Sequence, residues 1–158
     1  MPYLEGGSLQ DLLATRTLEP EEAVMVGRRI AGALQAAHRA GVVHRDVKPS
    51  NILLDGEGNP LLADFGVARR LDAATITQGV TPVGTAEYVA PELARGGEPS
   101  PASDLYALGA TLYESLAGRP PFTGTDALAV LYQHRHEPVP PLPETVPGGL
   151  AGAIEKTL

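Results

Sequence analysis

The sequence contains no cysteine, which excludes disulfides, thiolate metal sites and a cysteine nucleophile. No apolar run reaches the ~18 residues that a membrane-crossing helix requires. The first ten residues, MPYLEGGSLQ, lack the basic start and apolar stretch of a signal peptide. Basic residues are scarce as well. Twelve Lys and Arg face nineteen Asp and Glu, a net charge of −7, which speaks against a nucleic-acid-binding face built on clustered cations. Internal repeats and low-complexity blocks are also missing. What remains is 158 residues with 43% hydrophobic and 20% charged content, the make-up of one globular domain with a core of its own. Gly and Pro, 18 and 15 residues, are plentiful and predict long ordered loops between helices.

Met1–Leu4 reads as the end of a strand or a connector. Ser8 is placed to cap a short helix over Leu9–Ala14. A long helix is predicted from about Glu19 to Ala40. Pro20 suits its first turn, and Ala23, Val26, Ile30, Leu34 and Ala37 recur at helical spacing. Gly41 ends it. Glu19 is a poor capping residue, so that start is the less well defined. Short apolar runs follow at Val42–Val43, Ile52–Leu54 and Leu61–Ala63. The turn signal Asp55-Gly56-Glu57-Gly58-Asn59-Pro60 makes the last two a small β-hairpin. Residues 67–100 have little periodicity and read as one long functional loop. Helices are predicted again over Ala102–Ala117, Thr125–His136 and Gly148–Leu158, with the Pro-rich stretch Glu137–Pro143 extended between the last two.

Three motifs carry chemistry. They are His44-Arg45-Asp46-Val47-Lys48-Pro49-Ser50-Asn51, Asp64-Phe65-Gly66 and Ala90-Pro91-Glu92. In order and spacing they resemble the catalytic loop, the metal-binding loop and the end of the activation segment of the eukaryotic-like, bacterial-type Ser/Thr protein kinases. The resemblance covers essentially the whole chain. It implies a mainly helical (α+β overall) kinase C-lobe with a small β-hairpin at the catalytic and metal loops. Residues 1–158 would then be a partial catalytic domain: hinge and large lobe, without the small lobe and the last large-lobe helix.

The resemblance also assigns roles. Phosphoryl transfer needs a hydroxyl aimed at the γ-phosphate and its proton accepted. Asp46 is implied as that acceptor, with Lys48 on the γ-phosphate; a Lys at this place marks Ser/Thr rather than Tyr specificity. Asn51 and Asp64 are hard oxygen ligands suited to Mg²⁺ or Mn²⁺. Tyr3 and Leu4 fall where a hinge meets the adenine of ATP through its backbone, and Leu53 falls at the apolar floor of that site. Leu53 reads equally as a core strand residue. Thr85 resembles the threonine that bonds the catalytic Asp and Lys. Arg45 implies control by a phosphate on the activation loop, with Thr77 the first candidate and Thr81 the second; the alternative is that these threonines, with Thr75, only solvate a loop. Asp104 resembles the buried helix residue that holds the catalytic loop's backbone. Glu92 would pair with an Arg beyond Leu158. His44 is expected to be a core histidine packed near Phe65, and His38, His134 and His136 to be structural or exposed, with no chemical partner.

No Gly-x-Gly-x-x-Gly loop, strand Lys of the Val-Ala-Ile-Lys kind or partner Glu occurs in the sequence. Two readings follow. One is an ATP-dependent kinase acting on Ser and Thr of protein substrates, activated by kinase self-association, cytoplasmic, and anchored to a membrane only through parts of a longer parent. In that reading the 158 residues alone are inactive. The other is a truncated or pseudokinase-like protein-binding module. The DNA upstream of Met1 separates them: an open frame encoding the glycine loop and its Lys supports the enzyme, and a stop codon supports the module.

Overall fold

A computed structural model describes residues 6–64 and 83–158. The described residues form a helical body carrying one two-stranded antiparallel sheet.

Helix α1 spans Leu9–Leu13 and starts in a capping box, with Ser8 Oγ accepting from Asp11 N and Asp11 accepting from Ser8 N. Helix α2 runs Pro20–Arg39 and buries the stripe Ala23, Val26, Ile30 and Leu34. Its start is closed by Glu22, whose carboxylate accepts the Glu19 N–H at 2.9 Å and forks with Arg16 at 2.7 Å. The Arg16 bonds lead in holding the Glu22 carboxyl down at a pKa of about 2. The capping carboxylate thus comes from three residues inside the helix, which makes up for the poor cap at Glu19.

Strands β1 (Ile52–Leu54) and β2 (Pro60–Leu62) pair in the register Ile52–Leu62, Leu53–Leu61, Leu54–Pro60. The second strand therefore begins one residue earlier than its apolar run. Gly7 and Ser8 lie along β1: Leu54 N donates to Gly7 O at 2.8 Å. The approach is so close that a Cβ on Gly6 would sit 2.6 Å from the Leu54 and Asp55 carbonyl oxygens, so only glycine fits there.

The segment predicted as one long functional loop contains regular turns in its described part. Residues Val83–Ala86 form a helical turn, α3, and Leu93–Arg95 a 3₁₀ turn closed by Gly96 at φ 81°. Helix α4, Pro101–Ala117, has a Ser100–Ser103 capping box and Gly118 at φ 74° as its end. It is buried on most sides, the mark of a central helix. Its hydroxyls at Thr111 and Ser115 are fully buried and bond back to the Ala107 and Thr111 carbonyls at 2.8 and 2.7 Å. Helices α5 (Ala127–His136, capped by Asp126) and α6 (Gly148–Glu155) complete the body.

Two apolar clusters meet at α4. One joins α2 and α4 with Leu142, Val146 and Ile154; the other joins Ala86, Val89, Ala90 and Leu93 with Tyr106, Phe122 and the inner face of α5. The result is the mainly helical body with a small hairpin that the sequence implies.

Candidate active site

The connection from α2 to β1 brings the charged side chains together. Pro49 starts a single 3₁₀ turn over Pro49–Asn51, and this turn folds Asn51 back on Asp46. Asn51 Nδ2 donates to the Asp46 carbonyl at 2.7 Å and to Asp46 Oδ2 at 2.9 Å. The other oxygen, Oδ1, is 3.0 Å from the Lys48 ammonium. Lys48 Nζ in turn lies 3.5 Å from Thr85 Oγ1, which links the loop to α3. Asp46, Lys48, Asn51 and Thr85 therefore form one cluster, with the Asp46 and Lys48 side chains only 11% and 15% exposed.

The cluster is built on a fixed backbone. Arg45 sits at φ 71°, a left-handed conformation that a residue with a Cβ rarely adopts. Asp104, from the first turn of α4, accepts the His44 N–H and the Arg45 N–H on its two oxygens, both at 2.8 Å. A third donor is present at this buried carboxylate: His38 Nε2, 2.7 Å from Oδ2. Because a carboxylate faces it, Nε2 carries the hydrogen. The expectation that His38 has no chemical partner is overturned. Five residues separate it from His44, and neither periodicity nor motif points to a bond reaching sixty-six positions ahead.

His44 is fully buried. Its Nδ1 accepts from Asp46 N at 3.4 Å, so Nε2 is the protonated nitrogen and donates to the Ala63 carbonyl at 3.1 Å. Ala63 N also donates to Asn51 O, which sets the residue before Asp64 beside the His44–Asn51 loop. Asp64 follows at φ 56° with an exposed side chain. With both amide hydrogens of Asn51 directed at Asp46, its amide oxygen remains to accept, and Asp64 offers a carboxylate from the neighbouring strand end. This all-oxygen donor pair fits a hard divalent cation. Among the described residues no group of three or more His, Cys, Asp or Glu could hold a metal.

The other expected residues stand apart. Leu53 is half-buried in the middle of β1, opposite Leu61. Glu92 is half-buried at the head of the Leu93–Arg95 turn and makes no ion pair among the described residues. Tyr3, Leu4, Phe65, Thr75, Thr77 and Thr81 lie outside the described residues.

Two further groups flank the site that sequence reasoning missed. The Tyr88 hydroxyl donates to Glu114 Oε2 at 2.5 Å, joining the residues after Thr85 to α4. Burial is the main cause that pushes up the Tyr88 hydroxyl and the Glu114 and Glu87 carboxyls; the negative charge of Glu114 adds to it for Tyr88 and Glu87. The second is the partner of His134, which is structural as expected but does not lack a partner. His134 is buried on α5, with Nδ1 2.6 Å from the Tyr106 hydroxyl and its ring edge-on to Phe122. His136 stacks on Tyr132 at the exposed end of the same helix.

The sequence model of the protein kinase domain matches residues 1–145. Among curated proteins, the chain is 48% identical over 141 residues to a serine/threonine-protein kinase, PknL, of Mycobacterium tuberculosis, covering 89% of this chain and 35% of that protein. It is 45% identical over 159 aligned positions to PknA of the same organism, covering all of this chain and 37% of the relative. It is 46% identical over 153 residues to a probable serine/threonine-protein kinase PknB of Bifidobacterium longum, covering 94% of this chain and 22% of the relative. The chain thus spans about a third or less of the length of these relatives.

Proposed function

The chain belongs to the protein kinase domain family, and from that premise we propose that it supplies the hydroxyl-activating and metal-holding half of a Ser/Thr protein kinase that takes its phosphate from ATP. The observation that carries this reading is the Asp46 carboxylate, gripped by Lys48 on one oxygen and Asn51 on the other, on a loop pinned by Asp104.

In this reading Asp46 orients the substrate Ser or Thr hydroxyl and accepts its proton as the oxygen attacks the γ-phosphorus and ADP departs. Lys48 places a positive charge where the transferring phosphoryl group gathers negative charge. Thr85, beside Lys48, restrains that ammonium and borders the place where the hydroxyl enters. Asn51 and Asp64 would hold Mg²⁺ (or Mn²⁺), whose chemistry when bound is to neutralise phosphate charge. Leu53, with Tyr3 and Leu4, would line the adenine site. Arg45 would order the activation loop by pairing with a phosphate on Thr77 or Thr81, placed there by a second copy of the kinase. The domain would work in the cytoplasm on protein substrates; none of its described helices is long and apolar enough to cross a membrane.

The test is phosphotransfer by the full-length protein with ATP, Mg²⁺ and a Ser/Thr protein substrate. Asp46→Asn should lower kcat by at least about 100-fold, the scale of a lost general base. No transfer by the unaltered protein, or transfer unaffected by Asp46→Asn, would overturn the reading.

A further inference from the structure

We propose that His38 is a positioning residue for phosphoryl transfer, acting through Asp104 on the peptide that carries Asp46; the role in transfer rests on the kinase reading above. Asp104 is 1% exposed, and a carboxylate withdrawn from water is tolerated only when donors replace its hydration. It has three. Two are backbone N–H groups of the same loop, His44 and Arg45, and the third is the imidazole of His38.

The three donors do different jobs. The two amides fix the loop to the carboxylate. Alone they would let loop and carboxylate turn together about the aspartate side chain. His38 comes from the last turn of α2, so its bond to Oδ2 ties the carboxylate plane to a second long helix. The carboxylate is then referred to α2 and α4 at once, two helices that pack directly against each other. The left-handed Arg45, one peptide before Asp46, needs this restraint, because relaxation of its φ would swing the following carboxylate away from Lys48 and Asn51.

The experiment uses the full-length protein and three variants. His38→Ala removes the donor, His38→Phe keeps ring bulk without the donor, and His38→Gln returns an N–H near the position of Nε2. Hydrogen–deuterium exchange is read at peptides covering residues 42–47, with the α2 core around Ile30 and Leu34 as internal reference. Phosphotransfer kinetics are read in parallel. The Ala and Phe variants should speed exchange at His44 and Arg45 by about tenfold, as expected for loss of one hydrogen bond to a charged group, with the α2 core unchanged. They should lower kcat by a similar factor while KM for ATP stays within about twofold, and His38→Gln should restore both. Unchanged exchange at residues 42–47 in the Phe variant would overturn the inference, as would uniform acceleration that Gln does not repair. If the unaltered protein transfers no phosphate, the kinase reading falls, and the exchange arm still decides whether His38 positions this loop.

Discussion

Burial decides the chemistry of the polar residues around this site. His134 is the clearest case. Removed from water between Tyr106 and Phe122, its pKa falls to about 4, against the opposing pull of the Ala86 and Glu87 carbonyls. Its folded pKa is therefore below its unfolded value of 6.5, and the unfolded chain takes up this proton first as pH drops. The stability it supports is complete above about pH 6.5 and declines toward pH 4, by roughly 3 kcal/mol in total. Glu87 and Glu114 act in the opposite sense. Their carboxyls are raised, so the folded state takes their protons first and gains as pH falls. Urea unfolding of His134→Gln isolates the histidine: its midpoint should drop less between pH 7 and pH 4.5 than that of the unaltered protein, and equal slopes would rule the effect out. Legibility at this scale divides in the same way. Asp46, Lys48 and Asn51 belong to one short motif, and the resemblance carried by that motif is what made them legible as a group. The His38–Asp104, Tyr106–His134 and Tyr88–Glu114 bonds join residues far apart in sequence, and only the packing of α2, α4 and α5 creates them.

At the scale of elements, only some of the capped ends were legible. Ser8 announces α1; Ser100 and Asp126, which cap α4 and α5, went unread, so the predicted starts at Ala102 and Thr125 miss Pro101 and Ala127 by one and two residues. Helix α3 was not legible. Its residues, Val-Gly-Thr-Ala, are mostly weak helix formers, and the turn is held by contact with α5. The seam between α4 and α6 was equally hidden. A Cβ on Gly109 would lie 2.0 Å from Thr157 Oγ1 and 3.1 Å from its Cβ, so the chain's last turn rests on the bare backbone of α4. Gly109→Ala should destabilise the fold by about 1–3 kcal/mol, as overpacking does. Chemical unfolding of Gly109→Ala with Thr157→Ala should show part of that loss recovered; no recovery would place the cost elsewhere.

For the whole molecule, the motifs made the family legible while the body's surface remained silent about substrates, because net charge and composition describe solvated faces rather than partners. The sequence does bound what these residues can do alone. It holds two lysines, Lys48 and Lys156, and no glycine-rich phosphate loop. Lys156 is exposed at the C-terminal end of α6, outside the Asp46–Lys48–Asn51–Thr85 cluster. A preparation of the 158 residues by themselves should therefore transfer no ³²P from ATP to a protein substrate. Transfer that is abolished by Asp46→Asn would contradict this. The packing of α2 on α4 has a further consequence, for synthesis rather than catalysis. Leu112 lies against Gly27, about 85 residues earlier, and closing so long a segment costs about 4 kcal/mol of chain entropy before the core repays it. On a ribosome, the part of the α2 stripe that α4 covers stays open until α4 has emerged, so the nascent chain passes through a long interval in which chaperones have a surface to hold.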